Sequence, residues 1–387
     1  MIYLDAHATT PVDPRVLDVM LPLLRDQVGN ASSLDHAAGR GTRDAVETAR
    51  RQVAATIGAS HKDIVFTSGA TEADNLAIKG VAASLSERGD HIVTVATEHR
   101  AVLDTCRHLE ERGCRITLLP VGADGLIDPA AVDAAIGPKT ILVSVMAANN
   151  EIGVLQPLTA IGRITRAREV LFHTDAAQAF GRIPLEVNAM GIDLLSISAH
   201  KIHGPQGVGA LYVRTRQPTV RLAPLFDGGG HERGLRPGTL NAPGTVGLGA
   251  AAALATAEMA AEGVWVGALR DRLLEGLRAA IEGVHVNGSL VHRLPNNLNV
   301  SIDGTDETLA SRLEGLAVSA GSACATGSIE PSYVLRALGV PALRAHGTLR
   351  FGLSRFTTAD EIDRAIAIVR DGVERLRAQR SASAARS

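Results

Sequence analysis

Aromatic residues are scarce, at 3% of 387 residues, with Trp 1, Tyr 3 and Phe 6. A core built from this chain must rest on Ala, Val, Leu and Ile. Cysteine is scarcer still. Cys106, Cys114 and Cys324 are odd in number and scattered, which excludes a disulfide framework and points to a reducing compartment. An excess of one charge is missing too. Lys+Arg 39 against Asp+Glu 41 leaves a formal net charge of −2. That argues against nucleic acid or an anionic membrane as the main partner. The longest apolar run, 247–257, is Ala/Gly-rich and too short to span a bilayer. No basic segment followed by an apolar one opens the chain, so no signal peptide is expected; the sparse cysteine leads to the expectation of a cytoplasmic setting. Lysine is the most telling shortage. Nearly every basic residue is Arg, and the only lysines are Lys62, Lys79, Lys139 and Lys201. Chemistry that needs a deprotonatable amine has these candidates and no others.

What is present reads as globular, with 45% hydrophobic and 21% charged residues. Apolar β-branched runs at 64–66, 91–95, 115–119, 140–145, 170–173, 193–198 and 209–213 read as strands. Helical patterns at 71–87, 101–111 and 158–168 lie between them. This alternation predicts an α/β fold, with a mostly parallel seven-stranded sheet covered by helices on both faces. In such sheets ligands collect beyond the carboxyl ends of the strands. After about Gly244 the texture changes. An Ala-rich helical stretch over 246–280, broken near Gly263, precedes short strands at 297–302 and 348–353 and helices at 307–314, 331–338 and 359–377. That predicts a smaller α+β C-terminal domain. The expected division is a large domain over 15–250 and a small one from 1–14 and 251–387. The tail 380–387 is expected to fray.

Five segments carry chemistry. Phe66-Thr67-Ser68-Gly69-Ala70-Thr71-Glu72 ends a strand and opens a helix, with Thr71 and Asp74 matching a helix-start signal. Its small residues leave N–H groups open to an anion such as phosphate, although an ordinary strand-to-helix turn would look the same. Phe172-His173-Thr174-Asp175-Ala176-Ala177-Gln178 places a carboxylate at the end of an apolar strand. Such an Asp wants a cation, for instance a protonated ring nitrogen, or else caps a helix. In Ser196-Ile197-Ser198-Ala199-His200-Lys201, Lys201 directly follows an apolar strand among Ser and His. A lysine held there can form a Schiff base with an aldehyde cofactor; the plainer alternative is a lysine reaching outward from a strand end. Together these three are the parts needed to hold pyridoxal 5′-phosphate (PLP). The fourth segment, 319–328, is Ser, Ala, Gly and Thr around Cys324. No bulky side chain anchors it, so it is expected to be mobile and its thiol reactive, while Cys106 and Cys114 sit in or beside an amphipathic helix and are read as structural. In the fifth, 348–356, Arg350 lies inside an apolar strand pattern. Its fork matches a substrate carboxylate or an internal acid. His200 and His203 lack a third ligand at a recognisable spacing, so no metal site is expected.

These motifs resemble the PLP-dependent cysteine desulfurases of the class V aminotransferase family. The resemblance runs from Tyr3-Leu4-Asp5 and Ala8-Thr9-Thr10-Pro11 to Arg355-Phe356-Thr357, through Thr97-Glu98-His99, Asn149-Asn150-Glu151-Ile152-Gly153, Gly228-Gly229-Gly230-His231-Glu232, Gly321-Ser322-Ala323-Cys324 and the following 330–336. It is similar to the subgroup with the longer mobile cysteine loop, which feeds iron–sulfur assembly. The resemblance implies that Lys201 holds the cofactor, Asp175 pairs with its ring nitrogen and Gln178 with its ring hydroxyl. It implies that His99 stacks on the ring and moves protons. Ala70, Thr71, Ser198 and His200 would hold the phosphate, and Thr239 would reach the phosphate of a partner subunit in a homodimer. Asn150 and Arg350 would bind the carboxylate of L-cysteine, and Cys324 would receive the sulfur and pass it to an acceptor protein such as an iron–sulfur scaffold. Gln206 stands where the family commonly has lysine. A selenocysteine lyase or another class V PLP enzyme is the alternative within the family. A non-catalytic scaffold or regulatory subunit is the alternative outside it, although both Lys201 and Cys324 are present.

Overall fold

All seven runs read as strands form one sheet. The computed structural model describes residues 1–216, 219–320 and 331–384. In chain order, β1 (Ile2–Tyr3), α1 (Pro14–Arg25) and α2 (Ala37–Thr56) lead into β2 (Ile64–Thr67) and α3 (Ala70–Ser84). Then come β3 (His91–Val95), α4 (Arg100–Glu110), β4 (Arg115–Leu119), α5 (Pro129–Ala135), β5 (Thr140–Ser144), α6 (Leu158–Ala167), β6 (Leu171–Asp175), β7 (Leu194–Ser198) and β8 (Gly209–Val213). The long α7 (Ala242–Ala280) precedes β9 (Val284–Val286), β10 (Asn297–Ile302) and β11 (Leu316–Ala317). The chain finishes with α8 (Tyr333–Ala337), α9 (Ala342–His346), β12 (Thr348–Gly352) and α10 (Ala359–Ala384).

The large sheet runs β2-β8-β7-β6-β5-β3-β4, with β8 antiparallel to both of its neighbours and the other pairs parallel. The strands inside the sheet are buried on both faces, as crossover helices require, while the edge strand β4 is partly exposed. After β4 the chain returns to the far side of β3, so the strand order reverses between β3 and β5. The gap beyond the carboxyl ends there is where an α/β sheet opens a binding crevice.

Apolar packing covers both faces of this sheet. Val46, Val53 and Leu248 from α2 and α7 pack with Phe66, Phe172 and Ile197. Leu76, Ile78 and Val102 from α3 and α4 pack with Ile92, Leu142 and Leu211. A separate cluster joins Ile2 and Leu4 to Leu273, Leu298, Phe351 and Val369. It lies on the small antiparallel sheet β12-β10-β9. Each fully buried Leu or Phe there contributes on the order of 2–3 kcal/mol.

Several sequence expectations need correction. No break occurs at Gly263: α7 is one helix of 39 residues. Its first half is buried in the large core and its second in the small one, so packing at both ends outweighs a single glycine. By length and composition alone the helix would be apolar enough to cross a membrane, but its apolar residues pack into the two cores. The helix expected at 307–314 shrinks to a single 3₁₀ turn at Ala310–Arg312. Asp306 instead folds back on Thr308, accepting its N–H at 2.9 Å, a local bond that competes with helix continuation. The tail expected to fray from 380 stays helical to Ala384, and 385–387 lie outside the described residues. Finally, α3 starts at Ala70, with Gly69 as its N-cap and no side-chain cap. Asp74 lies fully buried against the sheet and Glu72 reaches back to Ser68 N–H at 2.8 Å, so the Thr71–Asp74 pair is not a capping device.

Candidate active site

A cavity of about 640 Å³ opens at the carboxyl ends of the large sheet. Its walls include Ala70, Thr71, His99, Asn150, Asp175, Gln178, Ser198, His200, Lys201 and Arg350. These residues span most of the chain. His99 follows β3, Asn150 follows β5, Asp175 ends β6, and Ser198 with Lys201 ends and follows β7. Thr239 is exposed and outside this wall. Cys324, with the expected mobility of its segment, lies outside the described residues.

Each position has a local cause. Gly69 has φ 155° and ψ 178°, a conformation open essentially to glycine alone. A side chain there would project toward Ser198 Oγ. The turn therefore leaves a small hollow between the start of α3 and Ser198, lined by uncapped N–H groups at the positive end of the helix. His200 closes its side, with Nδ1 3.1 Å from Thr9 Oγ1. Burial and the Lys201 charge lower the His200 pKa to about 4, so the ring is neutral at physiological pH.

Lys201 ends a 3₁₀ turn after β7, and its Nζ donates to His7 O at 2.5 Å and Ala8 O at 2.8 Å. Arg182 donates to the Lys201 carbonyl at 2.7 Å. Asp175 accepts from Ala177 N–H through Oδ1 at 2.8 Å, so it caps the following turn and also faces the cavity. Burial raises its pKa, while His99, the Ala177 N–H and Lys201 pull it back. His99 caps α4, with Nδ1 accepting from Ala101 N–H at 3.2 Å. With Nδ1 accepting, Nε2 is the ring nitrogen left to carry a proton. Gln178 is held through Oε1 by His7 Nδ1 at 2.8 Å and donates to His7 O at 3.0 Å.

Arg350 makes the internal ion pair that one of its sequence readings expected. It pairs with Asp5 at 2.9 Å and donates to Ser319 Oγ at 3.0 Å and Asn150 O at 3.0 Å, and it also lines the cavity. The other two cysteines are poor nucleophiles. Burial pushes the Cys106 thiol up to about 12 and raises that of Cys114. Among the described residues no group of three or more His, Cys, Asp or Glu is arranged to hold a metal.

The sequence reading gave no role to His7 or Glu151, and both line the cavity. His7 stood inside the Ala-His-Ala-Thr-Thr segment, where one ring among small residues was the available signal. Glu151 stood inside a quoted motif, but nothing local showed that its carboxyl is buried.

The residues fit PLP. The Gly69 hollow suits a phosphate, and Asp175 lies in the same cavity as the Lys201 amine. His7 Nε2 and Asn150 Oδ1 are buried with no hydrogen-bond partner among the described residues, as expected where a polar ligand completes a site.

The aminotransferase class-V family model matches residues 2–365. The chain belongs to that family. It is 56% identical, over 97% of its length and 93% of the relative, to a protein named cysteine desulfurase IscS in Anaeromyxobacter dehalogenans. A probable mitochondrial cysteine desulfurase of Dictyostelium discoideum is 54% identical over 97% of this chain and 84% of that protein. Among solved structures, a NifS-like protein superposes with TM-score 0.89 at 37% identity, covering 96% of this chain and 98% of the other. The chain is thus a PLP-dependent cysteine desulfurase.

Proposed function

We propose that the cavity is the desulfurase site, that its walls take the roles given below, and that Cys324 receives the sulfur. The observation that supports this reading is the meeting of ten side chains, picked from separate segments, around one cavity. When bound, PLP supplies an electron sink for negative charge at the substrate Cα. Lys201 would hold it through its amine, and the Lys201 Nζ, when free, would take the substrate Cα proton. Asp175 supplies the carboxylate for the ring nitrogen, and Gln178 meets the ring hydroxyl from its place on His7. His99 covers the ring and moves protons through Nε2. Ala70, Thr71, Ser198 and His200 bind the phosphate. Asn150 and Arg350 bind the substrate carboxylate, which then shares the Arg350 fork with Asp5. Cys324 thiolate attacks the substrate sulfur, the Cβ–S bond breaks with its electron pair going to the substrate carbon, that carbon is protonated to give L-alanine, and the sulfur stays on Cys324 as a persulfide. General acid–base assistance at the proton steps is worth roughly 10²–10⁴-fold.

We further propose a homodimer in which Thr239 reaches the neighbouring phosphate. Arg236 ties the Gly-rich stretch to Glu72 of its own chain at 2.9 Å, and Thr239 itself is exposed and outside its own chain's cavity, as a residue that serves a neighbour would be. The reading includes a large domain over 15–250, and a small one from 1–14 and 251–387, supported by the separate apolar cluster that takes in Ile2 and Leu4. It also includes the longer-loop subgroup, a cytoplasmic setting and delivery of sulfur to an acceptor protein such as an iron–sulfur scaffold. The IscS names of relatives support the delivery, and the sparse cysteine supports a reducing setting. The deciding experiment is a pulse of L-cysteine followed by mass mapping. Extra sulfur should appear on Cys324, and Cys324→Ser should keep the cofactor absorbance while releasing no alanine. Sulfur on Cys106 or Cys114, or alanine release by Cys324→Ser at the wild-type rate, would overturn it.

A further inference from the structure

Glu151 is 1% exposed, yet one of its carboxylate oxygens, Oε1, has no hydrogen-bond partner among the described residues. The other, Oε2, accepts from Ser332 Oγ at 2.5 Å. Burial raises the pKa of this carboxyl, against the pull of Ser332 and of Arg350. Its backbone is held on both sides. Glu151 N–H donates to Asn149 Oδ1 at 2.8 Å, and Glu151 O accepts from Asn297 and Asn299 on β10 at 3.1 Å each. Gly153, two residues on, is at φ +68° and touches Asn297 so closely that a Cβ would lie 2.5 Å or less from that side chain. The segment is therefore a fixed joint between the large sheet and the small one.

Ser332 is saturated. A hydroxyl has one proton and two lone pairs. The proton goes to Glu151, and the lone pairs take Val334 N–H at 3.1 Å and Leu335 N–H at 3.3 Å at the start of α8. Its orientation has no freedom left. Tyr333 adds a second anchor, donating to Glu98 O at 2.6 Å with the Arg100 guanidinium 4.7 Å over its ring. Residues 331–333 are where the cysteine-bearing segment rejoins the described chain. Beside them Asn150 O accepts from Arg350 at 3.0 Å, so the substrate-carboxylate end of the cavity and this rejoining point share one rigid node.

We propose that Glu151 is a positioning residue for sulfur transfer: through Ser332 it holds the start of α8, where the described chain resumes after the cysteine-bearing segment, relative to Asn150 and Arg350. This rests on the assignment of Cys324 as the sulfur acceptor. The thiol must meet the substrate sulfur within bond-forming reach, and small misplacements in such steps are costly. Because Tyr333 still anchors the segment, loss of the Glu151–Ser332 bond should slow the step without abolishing it.

The test uses the full-length holoenzyme and three readouts: cofactor absorbance, the spectral change on adding L-cysteine, and the rate at which mass mapping finds sulfur on Cys324. Glu151→Ala and Ser332→Ala should each keep the first two and slow the third about tenfold. Glu151→Gln keeps an acceptor for Ser332 and should restore most of the rate. The double variant should be no slower than the worse single one, because both remove the same bond. Losses that multiply would overturn the inference. So would a weakened cofactor absorbance or substrate response, a Glu151→Gln as slow as Glu151→Ala, or unchanged sulfur rates. If the wild type itself places no sulfur on Cys324, the functional assignment fails first and is told apart by that control.

Discussion

The four lysines of the chain lie in different surroundings. Lys62 and Lys139 are exposed, Lys79 is half-buried on α3, and only Lys201 reaches the cavity. Lys201→Ala should therefore purify without the visible cofactor band. Mapping reduced cofactor by mass to any other lysine would contradict the assignment. His173 offers a pH test. Its Nδ1 lies 2.8 Å from Ser144 Oγ and its Nε2 3.0 Å from Ser196 Oγ, and burial lowers its pKa from 6.5 to about 3. The unfolded chain binds that proton below its ordinary pKa and the folded chain does not. The contribution is full above about 6.5 and is lost as pH falls toward about 3. Between pH 6.5 and 5 this one ring should cost on the order of 2 kcal/mol. Urea titrations should show His173→Asn losing less stability over that interval than the wild type.

At the scale of elements, the loop after β8 is set by one buried pair. Arg50 on α2 grips Glu232 with two bonds of 2.7 Å, and Glu232 also accepts from Phe66 N–H at 2.7 Å. Glu232 and Arg233 have φ 46° and 58°, a backbone that non-glycine residues adopt only when their surroundings enforce it. Arg50→Ala strands the Glu232 carboxylate and should destabilise the protein by roughly 3–5 kcal/mol. The double variant Arg50→Met/Glu232→Leu should recover much of this in denaturant titrations. Because Glu232 joins Phe66 at the end of β2, the single variant should also hold PLP more weakly on dialysis. Unchanged PLP retention in a destabilised Arg50→Ala would confine the pair to a structural role.

For the whole molecule, the proposed homodimer makes a direct forecast. Light scattering should give about twice the 40.4 kDa of one chain. Thr239→Ala should weaken cofactor binding while leaving the dimer intact. A fully active monomer would remove the reason for Thr239 to take part.

The seven strands and the order of the chemistry along the chain were legible in the amino-acid sequence, because alternation of apolar runs with helical periods is a local signal. So was Lys201, since a lone lysine at a strand end among Ser and His has few structural reasons to be there. Other facts depended on long-range packing. The continuity of α7 came from burial at both of its ends, which no window around Gly263 contains. Asp74 looked like part of a helix start because Thr71 precedes it by three positions. Its burial against His173, with Oδ1 3.5 Å from Nε2, follows from how α3 lies across β6. Glu151 and Ser332 are 181 positions apart, and His7 and Gln178 are 171 apart. A hydrogen bond between such positions carries no local pattern, because it exists only once the sheets and helices between them have closed around it.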